Sequence, residues 1–290
     1  MANTLMKNSF SPINKAHAIL EVVFFIQFAP DFPVQAIRKL MEVEHELKEE
    51  LPKVSPINRI ETTLERGEDG PKGQFIERPV GIELQRIRPD GSVEWMLRTT
   101  ENIIAVHCLD YSTWGDVWGR AREYFHKTFG RIEGESNFVI SIGLKYIDRF
   151  LYEGTKEEYD SSLLFKKDTD LISKKSFLAT PLWHCHSGWF DESFDAVDAV
   201  KGDLLNQLNV DSSYANVSGQ KRYITTIEHN AIIRIEGQDN GHLRSITEKT
   251  DAKDSCLDQL MDKLHNTNKK VLSNLLSEQM AIKINLGTPK

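Results

Sequence analysis

The stretch FVISIGLKYIDRF, Phe138–Phe150, decides how the rest of the chain is interpreted. Its side chains alternate between two directions, which predicts a β-strand with two distinct faces. One predicted face carries Phe138, Ile140, Ile142, Leu144 and Tyr146, and the other carries Val139, Ser141, Gly143, Lys145 and Ile147. A helical pattern precedes the stretch, and a change of composition follows it. We therefore expect it to be the central strand of the N-terminal half.

The patterns around this strand predict an α+β fold. Ala18–Phe28 is rich in β-branched and aromatic residues and indicates a buried strand, while Asp90-Gly91 is typical of a hairpin turn. Ser112–Phe129 carries an aromatic stripe at helical spacing, and a long amphipathic helix is predicted from about Asp254. The prediction is a mostly antiparallel sheet with long helices packed on one face, in two related halves.

A change of composition divides the two halves. Residues 153–175 read EGTKEEYDSSLLFKKDTDLISKK and are dominated by charged side chains and by Ser and Thr. We therefore predict an N-terminal α+β half over residues 1–152, a linker region over 153–175, and a C-terminal α+β half with a long terminal helix over 176–290. A chain of 290 residues is long enough for two modest domains.

The overall charge indicates which classes of partner to expect. The chain has 36 Lys and Arg against 43 Asp and Glu, a formal net charge of −7. A nucleic-acid-binding surface is ordinarily basic, so nucleic acid is not expected as a direct ligand. The longest apolar run, around Ile19–Phe28, is too short for a membrane span, and the N-terminus lacks a signal-peptide pattern.

The cysteines indicate a reducing compartment. Cys108, Cys185 and Cys256 are far apart in the sequence and odd in number, which suits unpaired thiols better than a disulfide framework. We therefore predict a cytoplasmic protein.

Familiar catalytic signatures are missing from the sequence. It contains no G-x-x-x-x-G-K-[ST], G-x-G-x-x-G, H-E-x-x-H or G-x-S-x-G pattern and no cysteine pairs at zinc-finger spacing. Common nucleotide-binding, metalloprotease and hydrolase classes are therefore not indicated, and candidate sites have to be sought in local clusters.

The densest cluster is the run WHCHSGW, Trp183–Trp189. In a strand, His184 and His186 project from one face about 6–7 Å apart and could hold one divalent transition metal. A third ligand would come from elsewhere, with His229 or Asp191 as candidates. The alternative is a pair of partly exposed histidines on a sheet beside packing tryptophans, which the pattern favours.

The second cluster is the charged end of the central strand. Lys145, Tyr146 and Arg149 are candidate binding residues, because a guanidinium can hold a carboxylate or phosphate through two hydrogen bonds. Alternation places Lys145 and Arg149 on one face and Tyr146 with Asp148 on the other. A structural ion pair or capping contact is the alternative explanation for these charges.

Several segments together resemble a known family. These are ILEVVFFIQF (Ile19–Phe28), WGDVWGRAREYF (Trp114–Phe125), IGLKYIDRF (Ile142–Phe150) and FLATPL (Phe177–Leu182), followed by the C-terminal helix. The chain thereby resembles a sporadically distributed prokaryotic family of uncharacterised proteins with a mid-chain Tyr-Ile-Asn-Arg-type strand. Here that strand carries Asp148 where the family usually has Asn. The resemblance implies no activity, and sporadic distribution is associated with mobile or defence-related gene neighbourhoods.

Two hypotheses of function follow. The preferred one is a non-enzymatic protein-binding or assembly module without cofactors, in a toxin–antitoxin or phage-defence system, which pairs with a protein partner or with itself. No cluster has a spacing that demands chemistry, whereas the aromatic and C-terminal helices and the polar loops predicted at 52–73 and 191–219 could supply docking surfaces. The alternative is a metal-dependent hydrolase in which His184 and His186 hold a metal that activates water.

Overall fold

One antiparallel β-sheet organises the computed structural model of the chain. The structure describes residues 8–14, 16–67, 70–135, 137–191, 197, 200, 202–217, 219–236, 242–247 and 255–287. The ten strands in these residues are β1 (Phe10–Pro12), β2 (Ile19–Ala29), β3 (Lys53–Gly67), β4 (Gly70–Ile87), β5 (Val93–Thr99), β6 (Ile103–Cys108), β7 (Phe138–Tyr152), β8 (Trp183–Asp191), β9 (Gly202–Val217) and β10 (Gln220–Ile235). Their order across the sheet is β3-β4-β5-β6-β2-β7-β10-β9-β8, and β1 pairs with the end of β7.

Six helices accompany the sheet in the described residues. They are α1 (Val34–Met41), α2 (Glu44–Leu47), α3 (Trp114–Ile132), α4 (Leu243–Thr247), α5 (Cys256–Leu275) and α6 (Glu278–Lys283). The Thr113 side chain caps α3, and Ser255 forms a reciprocal capping box with Asp258 at the start of α5. None of the described helices is at once long enough and apolar enough to cross a membrane.

The predicted α+β fold class is wrong. Strands dominate the chain and form one continuous antiparallel sheet, whereas helices are fewer and four of the six have eight residues or fewer. The main reason is that two stretches expected to be loops, around 52–73 and 191–219, largely form β3, the start of β4, and β9. The prolines and glycines in the first stretch and the polar residues of the second obscure the alternation that identifies a strand.

The Phe138–Phe150 stretch is confirmed as a strand, but its position differs from the expectation. As β7, it pairs with β2 on one side and with β10 on the other, so it lies at the middle of the whole sheet. Residues 153–175 contain a 3-10 turn at Ser161–Leu163 and the beginning of a second at Lys174–Phe177. The predicted domain boundaries stay a prediction.

The helices define which face of the sheet is buried. All six contribute buried residues to two apolar clusters, which also contain inward-pointing strand residues such as Phe24, Leu144, Phe150 and Leu208. We call this side of the sheet the covered face and the opposite side the open face. No described helix contributes to a buried apolar cluster on the open face.

Candidate functional site

The alternation of β7 divides the predicted binding residues between the two faces. Lys145 and Arg149 are half-buried and lie on the open face, whereas Tyr146 is fully buried on the covered face together with Asp148. The three predicted binding residues Lys145, Tyr146 and Arg149 therefore cannot contact one ligand together. Two different environments result: a solvated polar surface and a buried polar cluster.

The centre of the open face is polar and internally paired. Lys145 Nζ lies 2.8 Å from Glu228 Oε2 on β10, and Arg149 Nε donates to Thr226 Oγ1 over 3.4 Å. On the other side of β7, Glu21 Oε1 lies 2.6 Å from His107 Nδ1. Lys145 is therefore paired with an opposite charge, whereas Arg149 contacts a neutral hydroxyl group.

An apolar row crosses the open face beside these polar pairs. Strand register aligns the side chains of Phe190, Leu205, Ile232, Gly143, Phe25 and Ala105 from β8 to β6. Gly143 is required there because an added Cβ would lie 2.0 Å from the Phe25 ring. The aromatic ring therefore lies across the central strand, and the guanidinium of Arg234 is 5.4 Å from the Phe190 ring centroid.

The two histidines of the predicted metal site share the open face on β8. Their ring centroids are 5.6 Å apart, and both side chains are exposed. Of the predicted third ligands, His229 is buried on the covered face. Asp191 points to the covered face as well, because it is six residues from Cys185 in the same strand. Among the described residues, no group of three or more His, Cys, Asp or Glu side chains could hold a metal ion. The geometry thus brings two potential ligands together without either predicted third one.

A buried hydrogen bond joins the covered face to α5. The Tyr146 hydroxyl oxygen lies 2.7 Å from Nδ1 of His265, and the His265 ring stacks on Trp114 with centroids 4.2 Å apart. Burial lowers the pKa of His265 to about 4 and raises the pKa of Tyr146 well above its usual value. The histidine is therefore neutral and the phenol protonated, so the hydrogen bond joins two uncharged groups.

A second buried chain of hydrogen bonds runs from α5 through β10 to β9. Asn268 Nδ2 donates to Nδ1 of His229 over 3.1 Å, and His229 Nε2 donates to Asn206 Oδ1 over 3.0 Å. All three side chains are almost completely buried. Burial lowers the pKa of His229 to about 4, so both ring nitrogens are satisfied by the neutral form.

Asn268 is not among the site residues that the sequence indicated. The signal for its true position is its spacing, since Asn268 follows Leu264 by four residues and precedes Val271 and Leu272 by three and four. Those leucines and the valine are all buried. A polar residue within an apolar helical stripe indicates a buried hydrogen-bonding group.

Asp148 is the most perturbed acid in the described part of the chain. It is 2% exposed, and no described Lys, Arg or His side chain forms an ion pair with it. Burial raises the pKa of its carboxyl group to about 7, because removing water disfavours the charged form. Near neutral pH, a large fraction of the folded molecules therefore carry a neutral carboxylic acid at this position.

A cavity of about 1120 Å³ lies between α3 and the start of α5. Its lining includes the buried rings of Phe28, Phe125 and Phe129, and the rim contains an Arg122–Asp258 ion pair of 3.2 Å. The size and the aromatic lining are typical of sites that accept an apolar small molecule. The perturbed acid Asp148 is not among the residues that line it.

The three cysteines are expected to react at different rates with a thiol reagent. None is in a disulfide; Cys108 and Cys256 are buried, Cys185 is half-exposed, and burial raises the pKa of Cys108 to about 12. The thiolate is the reactive form, so one fast thiol is expected in the native protein and three after denaturation without reductant. Titration with Ellman's reagent measures this, and Cys185→Ser should remove the fast phase alone. A denatured, unreduced chain with a single reactive thiol would contradict the assignment.

Comparison of the chain with protein-family models and with curated proteins gave no match in either case.

Proposed function

We propose that this chain is a non-enzymatic protein-binding or assembly module of the cytoplasm, whose binding surface is the open face of the sheet. The observation that carries the proposal is the combination of an apolar row with paired charges on a sheet face that no described helix covers. Apolar side chains next to polar groups on one exposed surface are typical of a protein interface.

The dimensions of the open face support a protein-sized partner. Eight strands from β8 to β4 spaced about 4.8 Å apart, with the three rows of side chains that the shortest strand allows about 6.7 Å apart, give roughly 770 Å². A standard protein interface occupies about 800 Å² on each partner. The open face is therefore large enough for a stable complex.

The charges on the open face favour a protein over nucleic acid. Binding to nucleic-acid phosphates depends on cationic side chains, which neutralise the phosphates and release the counterions held by them. Lys145 is neutralised by Glu228 at 2.8 Å, and Arg149 is close to Thr226. Paired charges are better suited to orienting a partner of mixed charge, where they give specificity more than affinity. The family resemblance adds a toxin–antitoxin or phage-defence setting to the proposal.

The buried polar groups are better explained by stability than by catalysis. Perturbed pKa values indicate active sites when the groups line a cleft that a substrate can enter. Tyr146, Asp148 and His229 are instead buried between the sheet and the helices. These residues are therefore assigned to the core, and the open face carries the function.

Reversing the charge of Lys145 on the open face is expected to weaken partner binding at least tenfold. The variant is Lys145→Glu, measured by affinity capture from the native host and then by titration of the recovered partner. Because this change also places two carboxylates together, the double variant Lys145→Glu with Glu228→Lys restores the internal ion pair and separates folding from binding. Lys48→Glu carries the same charge change at an exposed position at the end of α2 and should bind normally.

Two results would contradict the proposal. One is equal partner binding by the wild type, the double charge swap and an Ile232→Glu variant of the apolar row. The other is a lone chain without a partner that hydrolyses a substrate in a broad screen, with the activity abolished by His184→Ala.

A further inference from the structure

The strand β8 forms one edge of the sheet. Among the described residues, it pairs only with β9, from Trp183 opposite Ser212 to Asp191 opposite Leu204. No other described backbone hydrogen bond involves residues 183–191. An edge strand of nine residues presents a row of backbone donors and acceptors to solvent, which can pair with another strand.

β8 lacks the residues that ordinarily protect an edge strand from pairing. Proteins block such edges with proline, lysine and other charged side chains. The opposite edge, β3, contains Lys53, Pro56, Arg59 and Glu61 among its first nine residues. β8 reads WHCHSGWFD, with no proline or lysine and a single acidic residue at its end. The two edges of the same sheet therefore differ in their capacity to pair.

Exposed apolar side chains border the same edge. Phe190 in β8 is 50% exposed, Leu182 immediately before the strand is 51% exposed, and Leu178 is 89% exposed. Exposed apolar surface beside an unpaired strand is typical of interaction sites. The edge thus offers backbone groups and apolar contacts together.

Charge identifies the occupant. The chain has a net charge of −7, so two copies repel one another over most of their surfaces. The stretch from Trp183 to Phe190 carries no formal charge when its histidines are neutral, so copies can approach there. A strongly charged partner would find no opposite charge along this stretch. A second copy of the chain is therefore the occupant that the charge distribution favours.

We propose that two copies of this chain pair antiparallel through β8 around a twofold axis at Ser187. This register pairs all nine residues and places His186 opposite Gly188 of the other copy and His184 opposite Phe190, so no like charges meet. A self-complementary contact of this kind is the commonest oligomeric arrangement.

The axis runs perpendicular to the sheet, so the covered faces of both copies lie on one side and the open faces on the other. The two sheets become one continuous sheet. The inference goes beyond the proposed function, since it does not depend on what binds the open face. It is tested at His186, whereas the open face is tested at Lys145 and Ile232, so either proposal can fail alone.

Charge substitution next to the axis tests the pairing. In this register, position 186 of each copy lies within about 8 Å of position 186 of the other, because the two are diagonal neighbours across the strand pair. The full chain is compared with His186→Glu and His186→Lys by sedimentation velocity at pH 8 and low salt. The matched controls are His126→Glu and His126→Lys, at an exposed position on α3.

The wild type is expected to sediment with twice the 33.2 kDa mass of one chain. Each position-186 variant alone should dimerise roughly tenfold more weakly, and an equimolar mixture of the two should pair at least tenfold more tightly than either alone. The position-126 variants and their mixture should behave as the wild type does. A wild type that remains at 33.2 kDa at every concentration, or a mixture that pairs no better than its components, overturns the proposal.

Discussion

Replacement of Asp148 by asparagine is expected to stabilise the folded protein by roughly 4 kcal/mol at pH 8. The carboxyl group is buried without a described ion pair, and its pKa is raised from 3.8 to about 7. At pH 8 most folded molecules must therefore hold an unpaired carboxylate in the core. Asparagine has nearly the same shape and carries no charge.

The sign of the pH dependence follows from the two pKa values of Asp148. The unfolded chain releases this proton near pH 3.8, whereas the folded chain keeps it until about pH 7. Between these values the folded state binds more protons, so the contribution of Asp148 to stability falls as pH rises from about 4 to 7. Above about pH 8 the loss of stability is nearly complete and stays constant.

Urea denaturation of the wild type and Asp148→Asn at pH 5, 6, 7 and 8 measures this effect. The advantage of the variant should grow with pH, from roughly 2 kcal/mol at pH 5 to roughly 4 kcal/mol at pH 8. Asp31→Asn, at an exposed position, is the matched control and should show no such trend. An advantage that is independent of pH would show that Asp148 does not titrate in this range.

The strength of local alternation determined how much of the fold could be predicted. β2 and β7 were recognisable because their buried faces are apolar and their neighbours in sequence are clear breaks. β3 and β9 were missed because Pro56 and the polar run from Asn206 to Asn216 hide the pattern. Each of these segments is a strand because it pairs along its length with the strand that follows it, β4 or β10, and such cross-strand pairing is not visible in the composition of one segment.

The candidate site was predictable only in part for a related reason. Alternation correctly separates Lys145 and Arg149 from Tyr146 and Asp148, but it does not tell which side receives the helices. His184 and His186 do share a face, as their spacing predicted. The apolar row on the open face draws one residue from each of several strands, so it exists only after the strand register is known.

The buried His229 is expected to make the protein sensitive to acid. The folded protein keeps the ring neutral to about pH 4, because the ring is buried between Asn206 and Asn268. In the unfolded chain it takes up a proton near pH 6.5. Below pH 6.5 the unfolded state therefore binds more protons, and stability falls as pH decreases towards 4.

A comparison of the wild type with His229→Gln isolates this contribution. Between pH 7.5 and 4.5 the variant is expected to lose roughly 2–3 kcal/mol less stability than the wild type, whatever its stability at pH 7.5. His45→Gln, at an exposed position on α2, is the control and should follow the wild type. If His229→Gln loses as much stability on acidification as the wild type, the histidine is not held neutral by the core.

The two buried groups act in opposite directions over the same pH range. On acidification from pH 7 to 4.5, protonation of Asp148 favours the folded state. His229 has the opposite effect, because its ring takes up a proton in the unfolded chain but stays neutral in the folded one. The wild-type profile is therefore flatter than either contribution alone. Asp148→Asn should increase the loss of stability on acidification, and His229→Gln should reduce or reverse that loss. Opposite changes in slope from these two substitutions would identify both groups as the source of the pH dependence.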